Sequence, residues 1–183
     1  EKLQNHSGRD SVLVLRPCDV EETTVAWRMA MENTHTPTAL ILSRQNINDL
    51  PAPEGQTRRE AAEAATRGGY VVLIANGSEV STLVEAAPLL RAEGIRLQIS
   101  AVPSEGLFRQ QPKEYQDEVL PQGIKRFGLT AGLPVNLLGL VGDNGSIWGL
   151  NSFGFSAPYK VLDEKLGFTA QNVCTQVKQL LGR

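Results

Sequence analysis

Two short apolar runs, Val12-Leu13-Val14-Leu15 and Thr38-Ala39-Leu40-Ile41-Leu42, flank a stretch with helical periodicity, and this order constrains the fold more than any other feature. Strand, helix and strand in sequence read as a βαβ unit with parallel strands. Arg16-Pro17 ends the first run. Asp19 has Glu22 three residues later, the spacing of a capping box, and Glu21 also faces the positive end of the helix dipole. Val20, Thr24, Trp27 and Met31 recur about once per turn, so this face is predicted to pack on the sheet. Asn33 to Pro37 breaks the helical pattern before the second run. Two strands and one helix cannot cover both faces of a parallel sheet, so the opening segment reads as the edge of a larger domain.

Residues 46–56 carry Pro51, Pro53 and Gly55 among polar residues, the composition of an exposed linker. We therefore divide the chain into residues 1–50, a linker over 51–56, and a second domain over 57–183. Thr57 to Arg67 is predicted to be helical in part, stopped by Gly68-Gly69, and Tyr70 to Ala75 reads as a strand. Asn76-Gly77-Ser78-Glu79 opens a helix whose apolar face is Val80, Leu83, Val84, Ala87 and Leu90, kinked by Pro88 and closed by Gly94. Ile95, Leu97, Ile99 and Ala101 alternate with polar residues as a strand does. Two helical pieces split by Pro112 follow, with Phe108 and Tyr115 as core contacts. Gly123 to Leu129 and Ile147 to Leu150 read as strands, with Asp143-Asn144-Gly145 as a hairpin turn before the second. Ser156-Ala157-Pro158 starts a helix that Gly167 stops, and Thr169 caps a last one carrying Val173, Val177 and Leu180 on one side. The fold class is therefore α/β: a three-layer α/β/α arrangement around a mostly parallel, doubly wound sheet, preceded by a partial βαβ unit.

Composition excludes several classes. A net charge of -2 gives no footing for nucleic acid or a membrane surface, and 41% hydrophobic residues suffice for a packed core. Two cysteines, Cys18 and Cys174, have neither a disulfide framework nor metal spacing and suit a reducing compartment. No run is long enough to span a bilayer, and Glu1 to Asp10 lacks the apolar centre of a signal peptide, which reads as cytoplasmic.

Few residues carry chemistry. His6 and His35 lie in polar, loop-like stretches, so neither a histidine triad nor a metal site is expected, and no catalytic residue is assigned. Arg44 follows the second apolar run, where ligands bind beyond the carboxyl ends of strands. Its planar fork of donors matches a phosphate or carboxylate, with Ser43, Gln45 and Asn46 as support. The alternative reading is a solvated charge at a strand end. Gly77 and Ser78 form a glycine turn at a helix start, a candidate anion site, although Ser78 as a plain N-cap explains the same residues. Asp163-Glu164-Lys165 reads as a solvated helix face, and Cys174 as packing rather than nucleophile.

Ser43-Arg44-Gln45-Asn46, preceded by Leu15-Arg16-Pro17-Cys18-Asp19 and Trp27, resembles the C-terminal part of a transketolase. The resemblance continues through Ala75-Asn76-Gly77-Ser78-Glu79-Val80, Phe108, Gln111 and Tyr115 to Asn151-Ser152-Phe153-Gly154-Phe155-Ser156-Ala157-Pro158 and Gly167-Phe168-Thr169. It implies the end of a pyrimidine-binding domain followed by the transketolase C-terminal domain. Intact transketolases are homodimers that use thiamine diphosphate and a divalent metal (Mg or Ca) to pass a two-carbon unit from a ketose phosphate to an aldose phosphate. On this resemblance Arg44 grips the sugar phosphate, supported by Ser43. The cofactor-binding segments are expected before Glu1, so no cofactor is expected on this polypeptide and it is predicted inactive alone, with a structural, dimer-supporting role. Gly142-Asp143 is no match to the family's diphosphate motif, because position 144 is asparagine where that motif has glycine. The alternative is a regulatory anion-binding or assembly module of another thiamine enzyme, of the 2-oxo acid dehydrogenase β subunit or deoxyxylulose phosphate synthase type.

Overall fold

A computed structural model describes residues 4, 10–43, 47, 49–50, 52, 55–63, 66 and 74–182 of the chain. β1 (Leu13–Leu15) pairs in parallel with β2 (Thr38–Leu40), Leu13 opposite Thr38 and Leu15 opposite Leu40. The crossover is α1 (Val20–Glu32), started by Asp19 in an extended conformation with its carboxylate accepting from the Glu22 N–H at 2.9 Å. The Glu22 carboxylate reaches back to accept from the Cys18 N–H at 2.9 Å, one residue earlier than a capping box requires.

The packed face of α1 differs from the predicted one. Val20, Trp27 and Met31 are 60%, 53% and 78% exposed, whereas Glu22, Val25 and Ala26 are buried. The stripe 22, 25, 26, 29 is as regular as the predicted one, but a glutamate at its head disguises it. Glu22 is buried because Arg58, in α2 (Arg58–Ala62), lies against it, and Val25 packs with Ala62 and Met29.

The second sheet comprises β3 (Ile74–Ala75), β4 (Phe127–Leu129) and β5 (Ser146–Trp148), all parallel and in that order. The predicted strand over 95–101 makes a single parallel bridge among the described residues, Ala75 to Ala101. Ala75 donates to Ser100 O at 3.2 Å and Val102 donates to Ala75 O at 2.9 Å, so this edge segment lies on the side of β3 away from β4. Residues 67–73, where the start of the third strand is predicted, lie outside the described residues.

Alternation along the strands sorts the core into two faces. Ala75, Phe127, Leu129 and Trp148 meet α3 (Glu79–Ala92) and α8 (Ala170–Leu181). Ile74 and Ile147 meet α4 (Glu105–Arg109), α5 (Lys113–Val119) and α6 (Val135–Val141) through Phe108, Val119, Leu137, Leu140 and Val141. Three layers result, as the pattern of alternating elements predicts. Phe108 and Tyr115 stack at 6.2 Å between centroids.

α6 was not among the predicted elements, and it changes the reading of Asp143-Asn144-Gly145. β4 and β5 are parallel, so this turn joins a crossover helix to a strand and is not a hairpin. The remaining helix, α7 (Tyr159–Leu166), ends at Gly167 in the left-handed conformation, φ +78°. α8 then starts at Thr169, whose hydroxyl accepts from the Asn172 N–H at 3.2 Å. α3 follows its predicted stripe, with Val80, Leu83, Ala87 and Leu90 buried, and Ala86 joins them.

Candidate functional site

The carboxyl ends of both sheets meet. Arg16, the residue after β1, donates its N–H to Pro103 O at 2.9 Å and accepts at its carbonyl from the Gly77 N–H at 3.2 Å, which joins the first sheet to the second. Beside this seam is a cavity of about 390 Å³. Its walls are Val14 and Arg16 from the end of β1, Ile41 beyond β2, Asn76 beyond β3, Glu105 of α4, and Val135, Asn136 and Leu137 from the first turn of α6.

Arg16 is the cation in this wall. Its side chain is 20% exposed, its Nη2 stands 3.9 Å from Glu79 Oε2, and its Nε is buried without a hydrogen-bond partner. Asn76 Oδ1 and Glu79 Oε2 are likewise buried without a hydrogen-bond partner. Burial pushes the Glu79 carboxyl up from its ordinary range, opposed by the Ser78 hydroxyl, the Arg16 charge and the Ala131 backbone. Three unsatisfied polar atoms in one place are uncommon in a packed protein and mark a functional position or one that needs a further partner.

Gly77 and Ser78, the candidate anion residues, turn their donors inward. The Gly77 N–H bonds to Arg16 O, and the Ser78 hydroxyl donates to Glu79 Oε1 at 2.7 Å. Ser78 makes no side-chain cap, because its dihedrals are helical, φ -59° and ψ -26°, and not the extended ones from which a capping oxygen accepts from the next turn. Of the residues expected past β2, Ser43 is exposed, while Arg44, Gln45 and Asn46 lie outside the described residues.

The polar residues of the crevice itself were not singled out from sequence. Arg16 was read as a strand end and Asn76 as the start of the 76–79 turn offered as an anion site, and both stand in the motifs that carry the family resemblance, but neither was itself assigned a ligand. The available signal was that each directly follows an apolar run, the same placement that draws attention to Arg44. Asn136 had no such signal, since it does not directly follow a strand and lies on a helix the pattern did not reveal.

Other groups stay outside the crevice. His35 is exposed, and His6 lies outside the described residues. Cys174 is buried, with its thiol directed at Ala86 O at 3.8 Å and its pKa pushed up by burial, as a packing residue's would be. Asp163 is half-buried rather than fully solvated, and burial together with Glu85 pushes its carboxyl up. Among the described residues no group of three or more His, Cys, Asp or Glu could hold a metal ion. Asp143 sits in the turn after α6, so the described residues do not fit the metal-diphosphate end of thiamine diphosphate. No helix among them is long and apolar enough to cross a membrane.

Comparison with known proteins agrees with this architecture. The family described as the transketolase-like TK C-terminal domain matches residues 60–169. A transketolase of Geobacillus stearothermophilus is 39% identical over 100% of this chain and 29% of its own length. Transketolase 1 of Escherichia coli (strain K12) is 41% identical over 91% of this chain and 26% of its own. Among solved structures, the Pichia stipitis transketolase in complex with sedoheptulose-7-phosphate superposes with a TM-score of 0.81 at 31% identity, covering 94% of this chain and 25% of that one. Transketolase from Leishmania mexicana gives 0.80 at 33% identity, over 93% and 25%. The chain thus spans 29% or less of the length of these curated relatives. With a three-layer parallel sheet, the ordered motifs and a family match over residues 60–169, the chain belongs to the transketolase-like C-terminal domain family.

Proposed function

We propose that this chain is the C-terminal part of a transketolase that transfers a two-carbon ketol unit between sugar phosphates. The observation that carries this reading is similarity running over the whole chain, 39% identity across 100% of it in one relative, rather than over one motif. We divide the chain into the end of the pyrimidine-binding domain over residues 1–50, a linker over 51–56 and the C-terminal domain over 57–183. Thiamine diphosphate and a divalent metal serve the intact enzyme, the cofactor acting as the electron sink that makes carbon–carbon cleavage feasible. The intact enzyme is a cytoplasmic homodimer to which the C-terminal domain adds contacts.

In this reading Arg44 anchors the terminal phosphate of the sugar. Support comes from its place in the sequence, four residues after the last residue of β2, since open parallel sheets bind ligands with the segments that follow their strands, and from the fork geometry of a guanidinium. An anchor remote from the reacting carbon contributes binding and orientation, and part of that energy appears in turnover. Arg44→Ala in the complete enzyme is expected to lower kcat/KM for phosphorylated sugars roughly ten- to hundredfold, the loss of one charge-assisted contact. Unphosphorylated acceptors should be little affected. Unchanged kinetics with phosphorylated substrates would remove Arg44 from the site.

The 183-residue polypeptide assayed alone with cofactor, metal and sugar phosphates is expected to show no turnover, because it spans 29% of its relatives' length. Turnover above background would overturn that expectation.

A further inference from the structure

The cavity at the seam lies where the winding of the second sheet reverses. β3 is followed by α3 and the edge segment on one side, and the chain then returns through α4 and α5 to β4 on the other side. Asn76, beyond β3, and Asn136, in the helix beyond β4, both line the cavity at this reversal. Open α/β sheets bind ligands in that crevice. Here its cation is contributed by the neighbouring sheet, through Arg16.

Charge decides what kind of ligand fits. Glu105, the carboxylate in the wall, accepts from both Nε and Nη2 of Arg109, at 2.8 and 2.5 Å, so its charge is matched. Among the described residues Glu79 is the anion in ion-pair range of Arg16, and at 3.9 Å it is beyond hydrogen-bond range. Arg16 is therefore the weakly matched charge of the crevice, with its Nε unsatisfied. Val14, Ile41, Val135 and Leu137 make the rest of the wall apolar, which suits a carbon skeleton more than a bare inorganic ion.

We propose that this crevice binds a small organic oxyanion, held by the Arg16 guanidinium and the Asn76 and Asn136 amides, with its carbon atoms against Ile41, Val135 and Leu137. The proposal goes beyond the sugar-phosphate reading, which rests on Arg44. Because the ligand would touch residues from both sheets, its binding would also stabilise the seam between them.

Calorimetric titration of the full chain with isovalerate, acetate and inorganic phosphate at constant ionic strength tests it. Isovalerate is expected to saturate a single site and to bind at least about fourfold more tightly than acetate, the increment of one buried methylene. Inorganic phosphate should bind more weakly than isovalerate. Arg16→Gln should weaken isovalerate at least tenfold, and Asn136→Ala, an exposed position on α6, should weaken it several-fold while thermal unfolding remains cooperative. Arg44→Gln should leave it within about twofold, which separates this crevice from the proposed sugar-phosphate anchor. The proposal is overturned if isovalerate shows no saturable binding or if acetate or phosphate binds as tightly. It is equally overturned if folded Asn136→Ala and Arg16→Gln bind like the parent, or if Arg44→Gln abolishes the signal.

Discussion

Arg58 donates from Nε to Oδ2 of Asp19 at 2.5 Å, joining the first turn of α2 to the N-cap of α1 across 39 residues of chain. The same guanidinium places Nη2 3.5 Å from Glu22 Oε1. Asp19 and Glu22 have 0% and 1% of their side chains exposed and Arg58 has 11%, so one arginine neutralises two buried carboxylates that cap a helix. Leu50 N–H adds a bond to Asp19 Oδ2 at 3.2 Å, drawing the residues before α2 to the same point.

Removing this arginine should therefore cost far more than removing a surface charge. Arg58→Met is expected to destabilise the chain by about 3–5 kcal/mol, because two buried carboxylates lose the charge that Arg58 brings to them. Urea unfolding measures it. A loss under about 1 kcal/mol, the size of an exposed pair, would show that the carboxylates find water instead.

Glu79 sets a pH dependence of opposite sign to that of a paired surface carboxylate. Its folded pKa lies above the ordinary value of 4.5, so the folded state holds its proton more tightly than the unfolded state does. Stability should consequently fall as pH rises from 4.5 through the folded pKa, and the penalty should persist above it. The groups facing this carboxyl are Arg16 from β1, the Ser78 hydroxyl, the Ala131 backbone and, more distantly, Asp163 of α7. Glu79→Gln should raise the melting temperature at pH 8, with the gain shrinking as the pH is lowered toward 5. Calorimetric scans of both proteins across that range check it, and a gain that grows toward low pH would contradict the sign.

Gly128 marks a close approach of α6 to β4. A Cβ at this position would stand 2.8 Å from Val141 Cγ2 and 3.1 Å from Leu137 Cδ1, with Ile147 also in contact. Gly128→Ala should destabilise by about 1–3 kcal/mol through overpacking. Val141→Ala should recover part of that loss, and a double-mutant cycle with no coupling would refute the contact as its cause.

Several elements were readable because a few adjacent residues settle them. Asp19, Thr169 and Gly167 act through hydrogen bonds or dihedrals within a turn, and each does in the structure what its type predicts, although the Glu22 side chain bonds the Cys18 N–H and not that of Asp19. The stripe on α3 was readable too, since all its buried apolar members recur at helical intervals. Trp27 and Met31 misled because α1 carries two stripes, and periodicity cannot choose between them. Ser78 misled for a related reason: a serine before a helix is an ordinary cap, but this one takes helical dihedrals and so caps nothing with its side chain.

By itself the sequence determined most of the alternation of strands and helices, with α6 missed, most helix ends, the α/β class and, through the ordered motifs, the family. All of these follow from preferences within a turn or two of chain. Only the tertiary structure decided which side of α1 is buried, that α6 makes β4 and β5 parallel, and that Arg16 meets Asn76 and Asn136 at one cavity. Those outcomes depend on residues far apart in sequence, such as Arg58 on Asp19 and Glu22, because burying a charge is tolerable only where folding brings its counter-charge alongside.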